Sequence, residues 1–377
     1  MKKKILLVAG ARPNFMKIAP IMRALSQHGG FSPLLVHTGQ HYDENMSDTF
    51  FQGLGIPVPD FHLEIGSGSH AEQTANIMVS FEKVCLKEKP DAVLVVGDVN
   101  STIAAGLVAK KLNIALIHVE AGLRSGDREM PEEINRLATD AISDICFATE
   151  QEACSNLERE GHTSDCVHFV GHIMIDNLMY QLEHLDKNAL PESIKDIMRR
   201  IQTPYLCMTL HRPSNVDDSA TLKKLLTGIH DLARKMPVIF PCHPRTAQMI
   251  EQFGLQHLLS DPFKDSDPIE KGVLKLPPLG YNEFLALWKS SQAVLTDSGG
   301  LQEETTALGV PCLTLRKNTE RPITVDMGTN ILVGTDIEKM KCEVENILVG
   351  NAKESALPPL WDGKASIRIA DILHDQL

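Results

Sequence analysis

Residues 1–171 alternate between short apolar runs and stretches where apolar side chains recur every three or four positions. The continuous runs are Lys4–Ala9, Phe31–His37, Asp91–Gly97, Ile114–Val119, Ile145–Ala148 and Val167–Val170. Runs that are apolar on both faces suit parallel strands covered by helices on either side. Helical spacing occupies Phe15–Leu25 behind Pro13, then Glu72–Leu86 and Ser101–Leu112. From about Asp176 to Thr203 the pattern is one helix and a charged connector containing Pro191. A second alternating set follows, with apolar runs at Tyr205–Leu210, Pro237–Phe240, Val273–Leu276, Ala293–Leu295, Val310–Leu315 and Ile331–Val333, and a last helix over Ala365–Leu373. The pattern predicts an α/β chain of two Rossmann-like, doubly wound domains, residues 1–171 and 172–362. Their ligand-binding loops are expected at the carboxyl ends of both sheets, facing a shared cleft. A length of 377 residues agrees with two domains better than with one.

The stretch Ala293–Gly309, AVLTDSGGLQEETTALG, is the most suggestive. A short buried strand runs into Thr296-Asp297-Ser298, then Gly299-Gly300, then a helix over Leu301–Leu308. Backbone N–H groups are free at a helix start and the helix dipole is positive there, so a Ser-Gly-Gly turn at this point makes an anion cradle. The same turn also occurs as plain chain reversal. Basic residues Arg316, Lys317 and Arg321 after the next strand favour the anion.

Charge narrows the partners. A net charge of −12 excludes nucleic acid and anionic membrane as main partners, but not a small anion held by local Arg, Lys and His. No apolar stretch is long enough to span a bilayer. The opening MKKKILLVAGARP reads as a first strand, because its apolar run ends at Arg12-Pro13 without a small-residue cleavage site. The eight cysteines are scattered without a CxxC pair, so neither a zinc site nor a disulfide framework is expected, and a reducing, cytoplasmic setting is.

Chemistry gathers at strand ends. Arg12 and Lys17 follow the first strand, where a guanidinium forks onto phosphate oxygens. Asp98 closes DAVLVVGD and Glu120 closes IALIHVE. Two carboxylates at neighbouring strand ends suit general acid–base work. Asp98 also has a plainer reading as a cap of the helix near Ser101, and strand alternation puts His118 and Glu120 on one face. In GLRSGDREMPEEINR, Pro131 starts a helix, and Glu132 and Arg136 are spaced as an ion pair. His211-Arg212 and His243-Pro244-Arg245 follow strands of the second half, and together resemble a diphosphate site.

These pieces, with Gly10-Ala-Arg-Pro, GDVNST (97–102), HVEAGLRSGD (118–127), PEEINR (131–136), TLHRP (209–213), TDSGGLQEE (296–304), TERP (319–322) and DGKA (362–365), run in order along nearly the whole chain. In them the sequence resembles the non-hydrolysing UDP-N-acetylglucosamine 2-epimerases. The resemblance implies a GT-B-type fold whose last helix, about 363–377, returns to the first domain. It implies catalytic roles for Asp98, Glu120, Glu132 and His211. It implies UDP binding by Arg12, Lys17, Phe284, Ser298, Gly299, Gly300, Glu304 and Arg321. The implied reaction is anti elimination of UDP to a 2-acetamidoglucal and re-addition after protonation of C2 from the other face. No cofactor or metal is implied, and a homodimer is.

The chain departs from many bacterial members. It has HRPSN (211–215) where they have HRREN, Met130-Pro131-Glu132-Glu133 where they have W-P-E-E, and Gly171-His172-Ile173 where Gly-Asn-Thr is usual. Relatives acting on deoxy or uronic acid UDP-2-acetamido sugars share most of these motifs. Members activated by a second UDP-GlcNAc carry Q-H-x-Q and Arg-Gln. Here Gln40-His41-Tyr42-Asp43 and Glu72-Gln73 put acids at two of those positions, so activity without an added activator is expected. The competing readings are a glycosyltransferase of the same fold, a hydrolysing epimerase, and a UDP-sugar sensor without catalysis.

Overall fold

The computed structural model describes residues 2–39, 48–185, 190–264 and 266–377. The chain forms two units, Met1–Gln181 together with Pro359–Leu377, and Leu182–Pro358.

The first unit holds a parallel seven-stranded sheet in the order β3-β2-β1-β4-β5-β6-β7. Its strands are β1 Lys3–Ala9, β2 Phe31–His37, β3 Phe61–His62, β4 Ala92–Val96, β5 Ala115–Val119, β6 Ile145–Ala148 and β7 Val167–Phe169. β4 is buried along its whole length, as a strand with helices on both faces must be. Helix Arg12–His28 buries Phe15, Ile18, Met22 and Leu25 on one face against it. Helices His70–Glu88 and Asn100–Lys111 cover the other face, where Phe81, Val84, Val108 and Ala109 meet Leu6, Val93 and Val95. β3 escapes the sequence pattern because two residues are too few to show a period.

The second unit repeats the scheme in a six-stranded parallel sheet, ordered β10-β9-β8-β11-β12-β13. The strands are β8 Leu206–Met208, β9 Val238–Pro241, β10 Val273–Leu276, β11 Ala293–Thr296, β12 Cys312–Thr314 and β13 Asn330–Leu332. Both sheets reverse direction of winding once, between β1 and β4 and between β8 and β11. In doubly wound folds that reversal opens a crevice at the carboxyl ends of the two strands concerned.

The chain returns to the first unit at Pro359, and the first crossing lies in helix Ile173–Glu183 rather than at 171. The reason is Asp176 in that helix. Its carboxylate accepts from Ala365 N at 3.0 Å, Ser366 N at 2.6 Å and Ser366 Oγ at 2.6 Å, capping the last helix, Ala365–Gln376. The ring of His172 meets that of Trp361 at 4.9 Å, and a Cβ at Gly171 would lie 2.1 Å from Leu360 O. These contacts tie residues 171–176 to the final segment.

Candidate active site

In the first unit the reversal point is laced by one buried asparagine. Asn14 Oδ1 accepts from Gly10 N at 3.3 Å and Ala11 N at 3.0 Å, while its Nδ2 donates to Val96 O at 3.3 Å. The ends of β1 and β4 are thereby fixed together, with Gly97-Asp98 emerging between them. Gly97 has φ 67, and a Cβ there would lie 3.3 Å from Lys17 Nζ and 3.4 Å from Glu120 Oε2. The left-handed backbone favours glycine here, and a side chain would also crowd these two charges where they meet over the turn. They do meet, as a Lys17–Glu120 ion pair.

Glu120 lies one residue beyond β5, with φ 69. Strand alternation therefore does not set its direction, and His118 and Glu120 do not share a face as expected. His118 is fully buried, with Nδ1 2.6 Å from Asp140 Oδ1 and Nε2 2.8 Å from Gly97 O. Glu120 instead turns toward Lys17. A non-glycine residue in left-handed backbone is uncommon and marks places where surrounding structure imposes a conformation.

Asp98 does not cap the following helix, whose N-cap is Val99. Its carboxylate pairs with Arg136, and its carbonyl accepts from Asn135 Nδ2 at 2.9 Å. Arg136 takes Glu133 as its second partner, at 2.6 Å, in place of the Glu132 that spacing suggests. Burial favours protonation of Glu133, but hydrogen bonds from Ser125 and Gly126 and the charge of Arg136 hold its pKa below the usual value. Glu133 is thus structural, and Glu132, next to it on helix Pro131–Ile142, is exposed. Glu132 lines a cavity of about 360 Å³ with Ser67, His70, Gln73, Asn100 and Asn135. Arg12 is exposed at the start of its helix. The structure therefore joins Asp98, Glu120 and Lys17 at two adjacent strand ends and sets Glu132 on the neighbouring cavity.

In the second unit the reversal point has a hydroxyl lace, with Thr209 Oγ1 and Thr296 Oγ1 2.7 Å apart. Asp297 follows at the end of β11, fully buried. Its carboxylate accepts from His211 N at 3.0 Å, Arg212 N at 2.9 Å and Asn215 Nδ2 at 3.1 Å, and lies 3.0 Å from His211 Nδ1. Burial pushes the Asp297 pKa up, but the hydrogen bonds from His211 and Arg212 bring it below the usual carboxylate value. With Nδ1 committed to Asp297, His211 presents Nε2, and its side chain is 37% exposed.

The helix after Asp297 begins at Gly299, two residues earlier than its apolar pattern shows. Ser298 is its N-cap residue but makes no side-chain cap hydrogen bond. A Cβ at Gly299 or Gly300 would meet nothing within 4 Å. An uncapped helix start beneath open space is the geometry an anion requires. Glu304, two positions past the first turn's end, accepts from Tyr281 Oη at 2.7 Å. Burial and the Glu304 charge together raise the Tyr281 pKa, so the phenol stays a donor. Phe284 lines a pocket of about 220 Å³ with Thr209, His211, His243, Pro278 and Tyr281. Arg321 pairs through Nε with Glu303 on the cradle helix.

The two His/Arg pairs are only partly brought together. The His211 and His243 rings come within 6.0 Å, but Arg245 is held by Asp217 in a fork of 2.9 and 2.5 Å. Among the functional side chains, sequence reading overlooks Asp297, Asn215 and Tyr281. Asp297 carried a signal, an acid between an apolar strand and a glycine pair, but its partners are far away in sequence. The Gln40–Asp43 motif lies outside the described residues. Glu72 is described, and its carboxylate caps its own helix by accepting from Ser69 N at 3.0 Å. No cluster of three or more His, Cys, Asp or Glu able to hold a metal occurs among the described residues.

With this geometry established, relatives can be compared. The sequence profile described as UDP-N-acetylglucosamine 2-epimerase matches residues 23–374. The chain belongs to the UDP-N-acetylglucosamine 2-epimerase family. Within that family, the Methanocaldococcus jannaschii UDP-N-acetylglucosamine 2-epimerase is 44% identical over 374 residues, 98% of each chain. Its solved structure superposes with a TM-score of 0.86 at 42% identity over 99% of both chains, and its complex with UDP-GlcNAc and UDP with 0.76 over the same share. The UDP-2,3-diacetamido-2,3-dideoxy-D-glucuronate 2-epimerase of Pseudomonas aeruginosa is 38% identical over 98% of this chain and 99% of its own. The family thus spans more than one sugar, while the two-sheet α/β architecture is common to this epimerase chain and its solved relatives.

Proposed function

We propose that this epimerase inverts C2 of UDP-N-acetylglucosamine, interconverting it with UDP-N-acetylmannosamine. The observation carrying this reading is the chemistry that each unit holds at its own reversal point. Carboxylates Asp98 and Glu120 close one sheet, and an open, uncapped Ser-Gly-Gly helix start closes the other. The C2 hydrogen of the sugar has no adjacent carbonyl, so a base alone removes it slowly. Departure of UDP builds positive charge at C1 and acidifies that hydrogen. One carboxylate takes the C2 proton as the C1–oxygen bond breaks. The bonding pair leaves with UDP, and C1 and C2 become a double bond. A second carboxylate then protonates C2 from the other face, and the UDP phosphate oxygen re-adds to C1.

In this reading Ser298, Gly299, Gly300 and Arg321 hold the diphosphate, joined by Arg12 and Lys17. Phe284 packs against the nucleotide. Glu304, an anion, suits the ribose hydroxyls, since a carboxylate accepts hydrogen bonds and repels phosphate. Lys17 pairs with Glu120 and Arg321 with Glu303, so a phosphate at either cation competes with a carboxylate. With Nδ1–H given to Asp297, His211 Nε2 accepts a hydrogen bond when the ring is neutral and donates one when it is protonated. We place the enzyme in the cytoplasm as a homodimer, as the family resemblance implies. All eight cysteines are free thiols, and no described helix is long and apolar enough to cross a membrane.

Incubating the enzyme with UDP-N-acetylglucosamine in heavy water tests the reaction. Deuterium at C2 and a mixture of the two epimers are expected. A sugar with untouched C2 that moves to an acceptor marks a glycosyltransferase, and uptake only into a diacetamido uronate marks the Pseudomonas-type substrate.

Two further results are expected. Arg12→Ala and Arg321→Ala will each weaken UDP binding by about 1.5–3 kcal/mol, the usual worth of a charge-assisted hydrogen bond. Wild-type affinity by calorimetry in either variant takes that residue out of the phosphate site. Secondly, the reverse reaction from pure UDP-N-acetylmannosamine will start without a lag. The Glu72 carboxylate is committed to Ser69, whose hydrogen bonds lower its pKa, so it is an exposed anion rather than an anion receptor. A lag abolished by traces of UDP-N-acetylglucosamine would overturn this expectation.

A further inference from the structure

Glu120 has left-handed backbone with φ 69, although its side chain is long and its role needs a fixed position. The residues on either side explain what imposes this. Before it, His118 Nδ1 lies 2.6 Å from Asp140 Oδ1. After it, Gly122 N donates to Asp140 Oδ2 at 3.0 Å. One buried carboxylate thus grips the chain on both sides of Glu120. The main-chain N–H groups of Glu120 and Ala121 both go to Phe147 O, at 3.0 and 3.1 Å, which closes the turn against β6. The other His118 nitrogen reaches across to Gly97 O at 2.8 Å, and Gly97 N donates back to Val119 O at 3.1 Å. Gly97 immediately precedes Asp98. The same pair of side chains therefore links the turns that carry both carboxylates.

The hydrogen-bond inventory also fixes the protons. A carbonyl oxygen only accepts, so Nε2 donates to Gly97 O. Asp140 accepts from Gly122 N and pairs with Arg124 at 2.7 Å. Burial opposes its ionisation, yet His118, Arg124 and Gly122 N hold its pKa below the usual value. Asp140 is therefore a carboxylate, and it faces Nδ1. Both His118 and Asp140 are fully buried. The remaining titratable groups around the pair are Glu160, which binds Arg124 from outside, and Cys146, whose thiol burial keeps protonated.

We propose that the buried His118–Asp140 pair is the positioning element that holds Glu120 and Asp98 in register for proton exchange at C2. The proposal rests on the epimerase reading of Asp98 and Glu120 and adds residues that do not touch the substrate. A buried pair of this kind adds little net stability, but losing one partner leaves an uncompensated charge and frees the turn it held. Misplacement of a reacting group by about 1 Å costs on the order of a hundredfold in rate.

Two measurements on the full-length enzyme decide the matter. Nitrogen-15 labelling of the histidines will show a slowly exchanging ring N–H held against a carboxylate, a signal lost in His118→Gln. A His118 ring N–H that exchanges as fast as those of exposed histidines overturns the buried pair, and this reading needs only folded wild-type protein. In His118→Gln and Asp140→Asn, kcat and C2 deuterium exchange are expected to fall at least about thirtyfold, with UDP affinity within about twofold of wild type. Arg124→Gln removes the Arg124 pairs with Asp140 and Glu160 but leaves the His118–Asp140 contact in place, and is expected to lower kcat by about threefold with the same unchanged UDP affinity. Wild-type kcat in folded Asp140→Asn, or UDP affinity falling in step with kcat across these variants, overturns the positioning role. Absence of C2 exchange in the wild-type enzyme with every UDP-2-acetamido sugar would remove the epimerase reading instead, and is read out separately from the ring protons.

Discussion

Asp98→Asn, Glu120→Gln and Glu132→Gln will each fold, bind UDP through the second unit, and lose at least about a hundredfold in turnover. The amides keep the shape of the side chains but cannot exchange a proton. Their surroundings separate the three. Asp98 is paired with Arg136 and Glu120 with Lys17, whereas Glu132 is exposed on its cavity. Glu120→Gln takes the carboxylate from Lys17 and Asp98→Asn leaves Arg136 with Glu133 alone, so a loss of melting temperature accompanies the loss of rate. Glu132→Gln will lose rate with melting temperature unchanged. Deuterium exchange at C2 will fall with epimerisation in all three, because proton removal lies on the only route to inversion. Near-normal turnover in Glu120→Gln ends the assignment of that residue, and activity that tracks the folded fraction makes any of the three structural.

Asp297→Asn is expected to damage the second unit through geometry and charge together. Its carboxylate collects main-chain N–H groups of two residues and side chains of His211 and Asn215. An amide turns one acceptor into a donor facing donors. Breaking a buried pair in this way costs about 3–5 kcal/mol. In a unit of this size that lowers the melting temperature by roughly 6–20 °C. UDP binding will weaken about tenfold or more, because His211 loses the partner that fixes its ring. The pH dependence has a definite sign. The folded-state pKa of Asp297 is lowered from 3.8, so its stabilisation is fully present above 3.8 and fades as pH falls through the folded value. The difference in stability between wild type and variant will therefore narrow only below pH 3.8. His211→Ala and Asp297→Asn are expected to be non-additive for UDP affinity. A variant with wild-type melting and wild-type affinity would remove Asp297 from any supporting role.

Particular residues show where sequence reading was sufficient. The cradle at Ser298-Gly299-Gly300 was legible because strand, turn and helix start are contiguous, and each follows from local preferences. Asp98 and Glu120 were legible as strand-end carboxylates for the same reason. The plain readings attached to them were not reliable. A cap for Asp98, a shared face for His118 and Glu120, and a Glu132–Arg136 pair each assumed that a neighbour in sequence is the partner.

The sequence by itself determined the two alternating strand–helix sets, the Ser-Gly-Gly turn into a helix start and the carboxylates at strand ends. Periodicity and turn chemistry act over a few residues, so they can be read along the chain. Only the tertiary structure decided which charges meet. Sheet order places β4 beside β1 and β11 beside β8, which brings Lys17 to Glu120 across 103 residues, Arg136 to Asp98 across 38, and His211 to Asp297 across 86. Parallel strands join through crossover helices, so the residues that share a strand-end crevice are separated by whole elements. The left-handed turn at Glu120 belongs to the same class. Its conformation is imposed by Asp140, Phe147 and Gly97, each contributed by a different element, and no local preference of Glu-Ala-Gly encodes it.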